Sequence, residues 1–202
     1  MLPTVLLAVF ALCAWQVAAH GPLRTFDERL GRAIAGSPFP SPAAEFSADL
    51  GNTAVALPVL GVALACTAWR TRGAVRRWWP GPLAAALAMA AVPALVAPLK
   101  ALLDRPGPPG PLAGETGFFP SGHAATAAVA YGAAAVLLLP LVRARLRGWL
   151  IGAVVLLNLA VGVGLVRRAY HWPLDVVGSW CLCGCLLWAV LRVRERSGRR
   201  TT

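Results

Sequence analysis

Long uncharged apolar stretches alternate with short arginine clusters along this chain, and that alternation restricts its fold more than any single motif does. The stretches stand near residues 3–19, 51–69, 81–103, 122–142, 149–166 and 174–191. About 20 apolar residues in a helix cross the hydrocarbon core of a bilayer, so the expected fold is all-α: an integral membrane bundle of six helices. Only 13% of the 202 residues are charged, against about 25% in a soluble globular chain. That length suits one transmembrane domain over residues 1–202 rather than two soluble ones.

The formal net charge of +11 does not point to nucleic acid, because the arginines fall between apolar runs, where topology-setting charges belong. With six spans, Arg70, Arg72, Arg76, Arg77, Arg143, Arg145, Arg147, Arg192, Arg194, Arg196, Arg199 and Arg200 share one side, twelve of the nineteen basic residues. The other side holds Arg24, Arg29, Arg32, Lys100, Arg105, Arg167 and Arg168. The positive-inside rule puts the first group and both termini in the cytoplasm, as expected for a multi-pass protein of the cell membrane. The first stretch ends in VAA before His20, like a cleavage site, but lacks the basic start of a signal peptide and is expected to be retained. Cys181, Cys183 and Cys185 form CLCGC with no other ligand type interleaved, so they are expected to pack as small hydrophobes and hold no metal.

Two outer loops interrupt the pattern. Residues 22–48 mix charge with a short amphipathic piece and a Pro-Ser stretch, predicting an interfacial helix and a linker. Residues 104–120 form a long connection without regular structure, stiffened by four prolines before residue 112 into a shaped loop. An even number of crossings separates the loop between the third and fourth spans from that between the fifth and sixth, so both lie on one side. Lys100, Arg105, Ser121, Gly122, His123, Arg167, Arg168, His171 and Asp175 can therefore meet there.

That set has the chemistry of a phosphate site. Ser121 and Gly122 open a helix, whose free N–H groups and positive dipole end favour an anion. Lys100, Arg105, Arg167 and Arg168 bring the positive charge. In HWPLD, Pro173 suits the first turn of the last span, with His171 just before it and Asp175 inside it. Four residues apart, the carboxylate can accept a hydrogen bond from one ring nitrogen of His171 and leave the other free to attack. His123 can then protonate the departing oxygen.

Pro120-Ser121-Gly122-His123 and His171-x3-Asp175, each beside a helix start, resemble two motifs of the type 2 phosphatidic acid phosphatase (PAP2) superfamily of membrane lipid phosphatases. The likeness covers roughly residues 50–190. It implies a metal-independent hydrolase without a cofactor, in which His171 becomes a phosphohistidine and the site faces the outer leaflet. Its implied partner is a lipid phosphate, with polyprenyl diphosphate ahead of phosphatidate and phosphatidylglycerophosphate. A lipid-linked phosphotransferase and a catalytically weakened lipid-binding scaffold are the alternatives. Three positions in two motifs depart from the family pattern: Gly107 and Leu165 stand where it has arginine, and Gly164 where it has serine. On helical geometry, about 100° per residue, Arg168 is expected to replace the second arginine better than Arg167.

Overall fold

The structure is a computed structural model that describes residues 1–73 and 78–199, and every regular element among them is helical. Arg76, Arg77 and Arg200 of the basic clusters lie outside the described residues. The elements are α1 (Leu2–Ala18), α2 (Pro22–Ala35), α3 (Ser41–Asp49), α4 (Thr53–Thr71), α5 (Pro80–Leu103), α6 (Gly122–Leu138), α7 (Ala144–Arg167) and α8 (Pro173–Arg199). α1 and α4 to α8 coincide with the six apolar stretches. By length and composition α4, α5, α7 and α8 can each cross a membrane, which makes this a multi-pass membrane protein. α1 passes the same test only together with α2, from which it bends by 86°, and α6 is a shorter apolar helix.

Residues 22–48 hold more structure than one interfacial helix and a linker. Pro22 starts α2 at a position where its missing N–H costs nothing, and a second proline, Pro42, lies in the first turn of α3. α2 packs on α1, α7 and α8, and α3 packs on α7. α8 runs past the expected end at residue 191, with Arg192 paired to Glu195 at 3.1 Å on its exposed last turns.

α6 is the centre of the bundle. Twelve of its 17 residues are buried, because its many alanines let α4, α5, α7 and α8 approach on all sides. Ser121 caps it, its Oγ accepting from the Ala124 N–H at 3.3 Å. α4 and α5 both lean on α6 but hardly touch each other. Between the three helices lies an apolar cavity of about 790 Å³, with Lys100, Gly122 and His123 among the residues that line it.

The closest backbone approach explains one departure in the sequence. A Cβ on Gly164 would lie 2.6 Å from the Ala44 carbonyl oxygen and 2.7 Å from the Ala48 nitrogen, so α3 rests on bare backbone of α7. Serine does not fit at that position. Gly164→Ser should therefore destabilise the fold by about 1–3 kcal/mol through overpacking. Gly148→Ser, at a position with open space around it, should stay within about 0.5 kcal/mol. Thermal unfolding of both variants in detergent checks the difference, and equal melting temperatures would show that α3 does not seat there.

Candidate active site

The site forms where the starts of α6 and α8 meet the loop 104–121. The Ser121 N–H donates to the Asp175 carbonyl at 3.1 Å. The Ser179 hydroxyl lies 2.8 Å from the carbonyl oxygens of both Ser121 and Asp175, sharing its hydrogen between them. PSGH and HWPLD are thus fastened to each other through backbone, in the two helix starts that the sequence predicts.

α8 begins at Pro173. Its third residue, Asp175, accepts from the Trp172 N–H at 2.9 Å, the carboxylate half of a capping box. The same carboxylate oxygen lies 3.2 Å from His171 Nδ1. That contact matches the expected four-residue pairing and fixes Nδ1 as the proton-bearing nitrogen. The ring of His171 is buried and meets Phe118 edge-on at 5.5 Å, and no described residue hydrogen-bonds its Nε2.

The loop takes a definite shape. α5 ends at Asp104, which adopts the left-handed region with φ 39° and turns the chain sharply. Arg105 is thereby directed inward. Its Nη1 donates to Asp175 Oδ1 at 2.6 Å, its Nη2 donates to Asp27 Oδ2, and the side chain is fully buried. The loop closes over it with Phe118 N–H to the Arg105 carbonyl at 3.1 Å and Trp172 Nε1 to the Pro106 carbonyl at 3.0 Å. Asp27 Oδ1 accepts from the Leu174 N–H at 2.7 Å. Burial pushes the Asp27 carboxyl above the ordinary carboxylate range, and the adjacent Arg105 guanidinium works against that shift.

Three arginines expected at an open phosphate site are engaged elsewhere. Arg105 is spent on two carboxylates. Arg167 donates to the carbonyls of Phe39 at 2.9 Å and Ala35 at 2.7 Å. Arg168 donates to Glu45, which also accepts from the Tyr170 hydroxyl. α7 stays helical through Arg167, with Arg168 as its cap, so the pair does point to different places as the helical geometry requires. Their partners lie on α2, α3 and the segment between them, and the sequence alone does not reveal them. Position 107 is closed as well: a Cβ there would sit 2.4 Å from the Phe118 ring.

The remaining expected residues do converge. Lys100, Gly122 and His123 line one cavity, and Lys100 lies within electrostatic reach of Asp175, as His123 does of His171 and Lys100. Among the described residues Lys100 has no hydrogen-bond or ion-pair partner, and the Gly122 and His123 N–H groups have none either. A Cβ on Gly122 would meet nothing within 4 Å, so a ligand can reach the backbone there. Cation, helix dipole and free donors together suit an oxyanion.

Residues 81–199 match the PAP2 superfamily. The chain belongs to that family. The fold is similar to the crystal structure of a transmembrane PAP2-type phosphatidylglycerolphosphate phosphatase from Bacillus subtilis, with TM-score 0.83 and 23% sequence identity over 96% of each chain. No curated protein matches the chain significantly. Within the PAP2 pattern, the two glycine departures have steric reasons, Phe118 at Gly107 and α3 at Gly164.

Asp27, Glu45 and Tyr170 are the site neighbours that sequence reasoning missed. Asp27 and Gly31, four residues apart, are the buried positions of α2, and nothing in the sequence marks them as such. Removing the cation between the carboxylates should be costly. Arg105→Met should destabilise the protein by about 3–5 kcal/mol at neutral pH. The penalty should shrink on acidification, as the stranded carboxylates take up protons. Thermal melts across pH check this, and a flat difference would mean that the carboxylates are not what Arg105 holds in place.

Proposed function

We propose that this protein is a lipid-phosphate phosphatase that works through a phosphohistidine on His171. One observation carries the reading: an anion-attracting corner, made by Lys100 and the open α6 N-terminus, forms one end of a cavity otherwise lined almost wholly by hydrocarbon. A phosphate head with a lipid tail has those two needs. Membership of the PAP2 superfamily supports the same class of reaction.

In this mechanism the Nε2 lone pair of His171 attacks phosphorus and the phosphorus–oxygen bond to the lipid breaks. His123 gives its proton to the departing oxygen, so the lipid leaves as the neutral alcohol, or as the monophosphate if a diphosphate entered. Water then attacks the phosphohistidine, His123 takes its proton, and His171 and inorganic phosphate are released. Asp175 holds the Nδ1 proton throughout. Lys100 and the Gly122 and His123 N–H groups meet the charge on the phosphoryl oxygens, supplying the neutralisation a metal would otherwise give. Arg105 is assigned behind the nucleophile, and Arg167 and Arg168 to holding α2 and α3, rather than to the phosphate itself.

We further assign six spans to α1 and α4 to α8, within one transmembrane domain over residues 1–202 whose motif core is about 50–190. Residues 22–48 form its outer interfacial segment. The bias of basic residues toward the other side supports an extracytoplasmic site and cytoplasmic termini. The substrate is assigned as polyprenyl diphosphate first, then phosphatidate or phosphatidylglycerophosphate, the last being the lipid in the name of the similar Bacillus subtilis structure.

A phosphate-release panel over these lipids, with a strong chelator present throughout, tests the proposal. Purified protein should release phosphate from at least one, and His171→Ala should abolish turnover for all. His123→Ala should lose about 10²–10⁴-fold on natural esters and much less on an ester with an acidic leaving group. Absence of release, or equal losses for good and poor leaving groups, would contradict the scheme.

A further inference from the structure

The buried pair Asp27 and Arg105 is not used by the phosphoryl chemistry, yet it reaches the carboxylate that holds His171. Asp27 comes from α2, far from the motifs in sequence, and is 2% exposed. One of its oxygens caps the Leu174 N–H in the first turn of α8. Its other oxygen takes one arm of the Arg105 guanidinium, whose second arm takes Asp175 Oδ1. The remaining oxygen of Asp175 is left for Trp172 N–H and His171 Nδ1. A planar guanidinium bridges two carboxylates in fixed geometry, which an ammonium cannot do.

We propose that Asp27 is a positioning residue for the reaction. Through Arg105 it sets where Asp175 lies and how strongly Asp175 holds His171. This inference rests on the assignment of His171 as nucleophile. Without Asp27, both arms of Arg105 are free to close on Asp175 and draw it away from the imidazole. Asp27 also places a negative charge behind the Asp175–His171 pair, so its removal changes the field at the site.

The other charged groups around the histidine are accounted for. Asp175 faces it from α8 and Arg105 from the loop, while His123 of α6 and Lys100 of α5 lie within electrostatic reach of the pair. Arg32 of α2 lies over Trp172, its guanidinium carbon 5.9 Å from the ring. Arg167 and Arg168 at the end of α7 are held by backbone carbonyls and by Glu45.

The test compares full-length wild type, Asp27→Asn, Asp27→Glu and Arg105→Lys in detergent. Each is assayed for kcat, KM, inhibition by inorganic phosphate and the pH profile of kcat/KM. Asp27→Asn keeps an oxygen for Leu174 but loses the anion. Its kcat should fall about tenfold with KM changed less than about twofold, because ground-state binding is untouched. The acid side of its profile should move measurably to lower pH, because one anion has been taken out of the site. Asp27→Glu, which keeps the anion, should return the acid side toward wild type. Arg105→Lys should also lose kcat while phosphate inhibition is unchanged.

A reduced kcat with an unmoved pH profile in Asp27→Asn would make Asp27 a purely structural cap and overturn the proposal. Phosphate inhibition weakened about tenfold in Arg105→Lys would place the guanidinium on the substrate instead and overturn it too. His171→Ala, run alongside, separates these outcomes from failure of the underlying assignment, since turnover surviving in that variant would remove the nucleophile itself.

Discussion

A single buried guanidinium, Arg105 between Asp27 and Asp175, is the interaction on which the rest of the site depends. It joins three parts of the chain that share no local sequence logic: the peripheral helix α2, the loop after α5 and the start of α8. Burying three charges is expensive, and in many proteins an apolar cluster of the same volume is at least as stable. What the ionic arrangement adds is direction. An apolar cluster does not choose which oxygen of Asp175 faces His171, whereas a two-armed cation placed on one oxygen leaves the other to the histidine. Asp175 accepts from the residue before α8 and Asp27 from its first turn, where the helix dipole favours negative charge.

The departures from the PAP2 pattern follow from the same inward turn. Because α5 ends at Asp104, the arginine of the first motif comes two residues early and enters the core. Position 107, where the family has arginine, then lies under the Phe118 ring, which a side chain there would have to displace. On α7, α3 occupies the face at Gly164, and Arg167 and Arg168 turn to hold α2 and α3 rather than standing free. Positive charge at the cavity falls to Lys100 and the α6 N-terminus. On the proposed reading, the phosphate site has fewer cations and leans more on backbone donors than the family pattern implies.

What was legible in the sequence was whatever is encoded by local period or by spacing along one helix. The apolar runs gave the main helices, Ser121 the cap of α6, and the four-residue spacing of His171 and Asp175 their contact. The cavity beside Lys100 and His123 follows from bringing those spans together. Arg105, Arg167 and Arg168 were expected at a phosphate, and the partners they have instead were not foreseen. A charged side chain several bonds long reaches whatever acceptor the tertiary structure brings near it, and Asp27, Glu45 and the Phe39 carbonyl are between 78 and 128 residues away in sequence. The α2–α3 region was hardest to read, since α2 turns apolar Phe26 and Leu30 outward and buries Asp27 and Gly31, the reverse of what its amphipathic pattern suggests for a packed helix.

The most direct measurement of the central claim is to trap the covalent intermediate and locate it. Protein mixed with radiolabelled lipid phosphate, quenched in alkaline denaturant to preserve phosphohistidine and digested, should carry the label on the peptide containing His171. Asp175→Asn should carry markedly less at early times. Label on the His123 peptide, or turnover with no labelled peptide at all, would contradict the account.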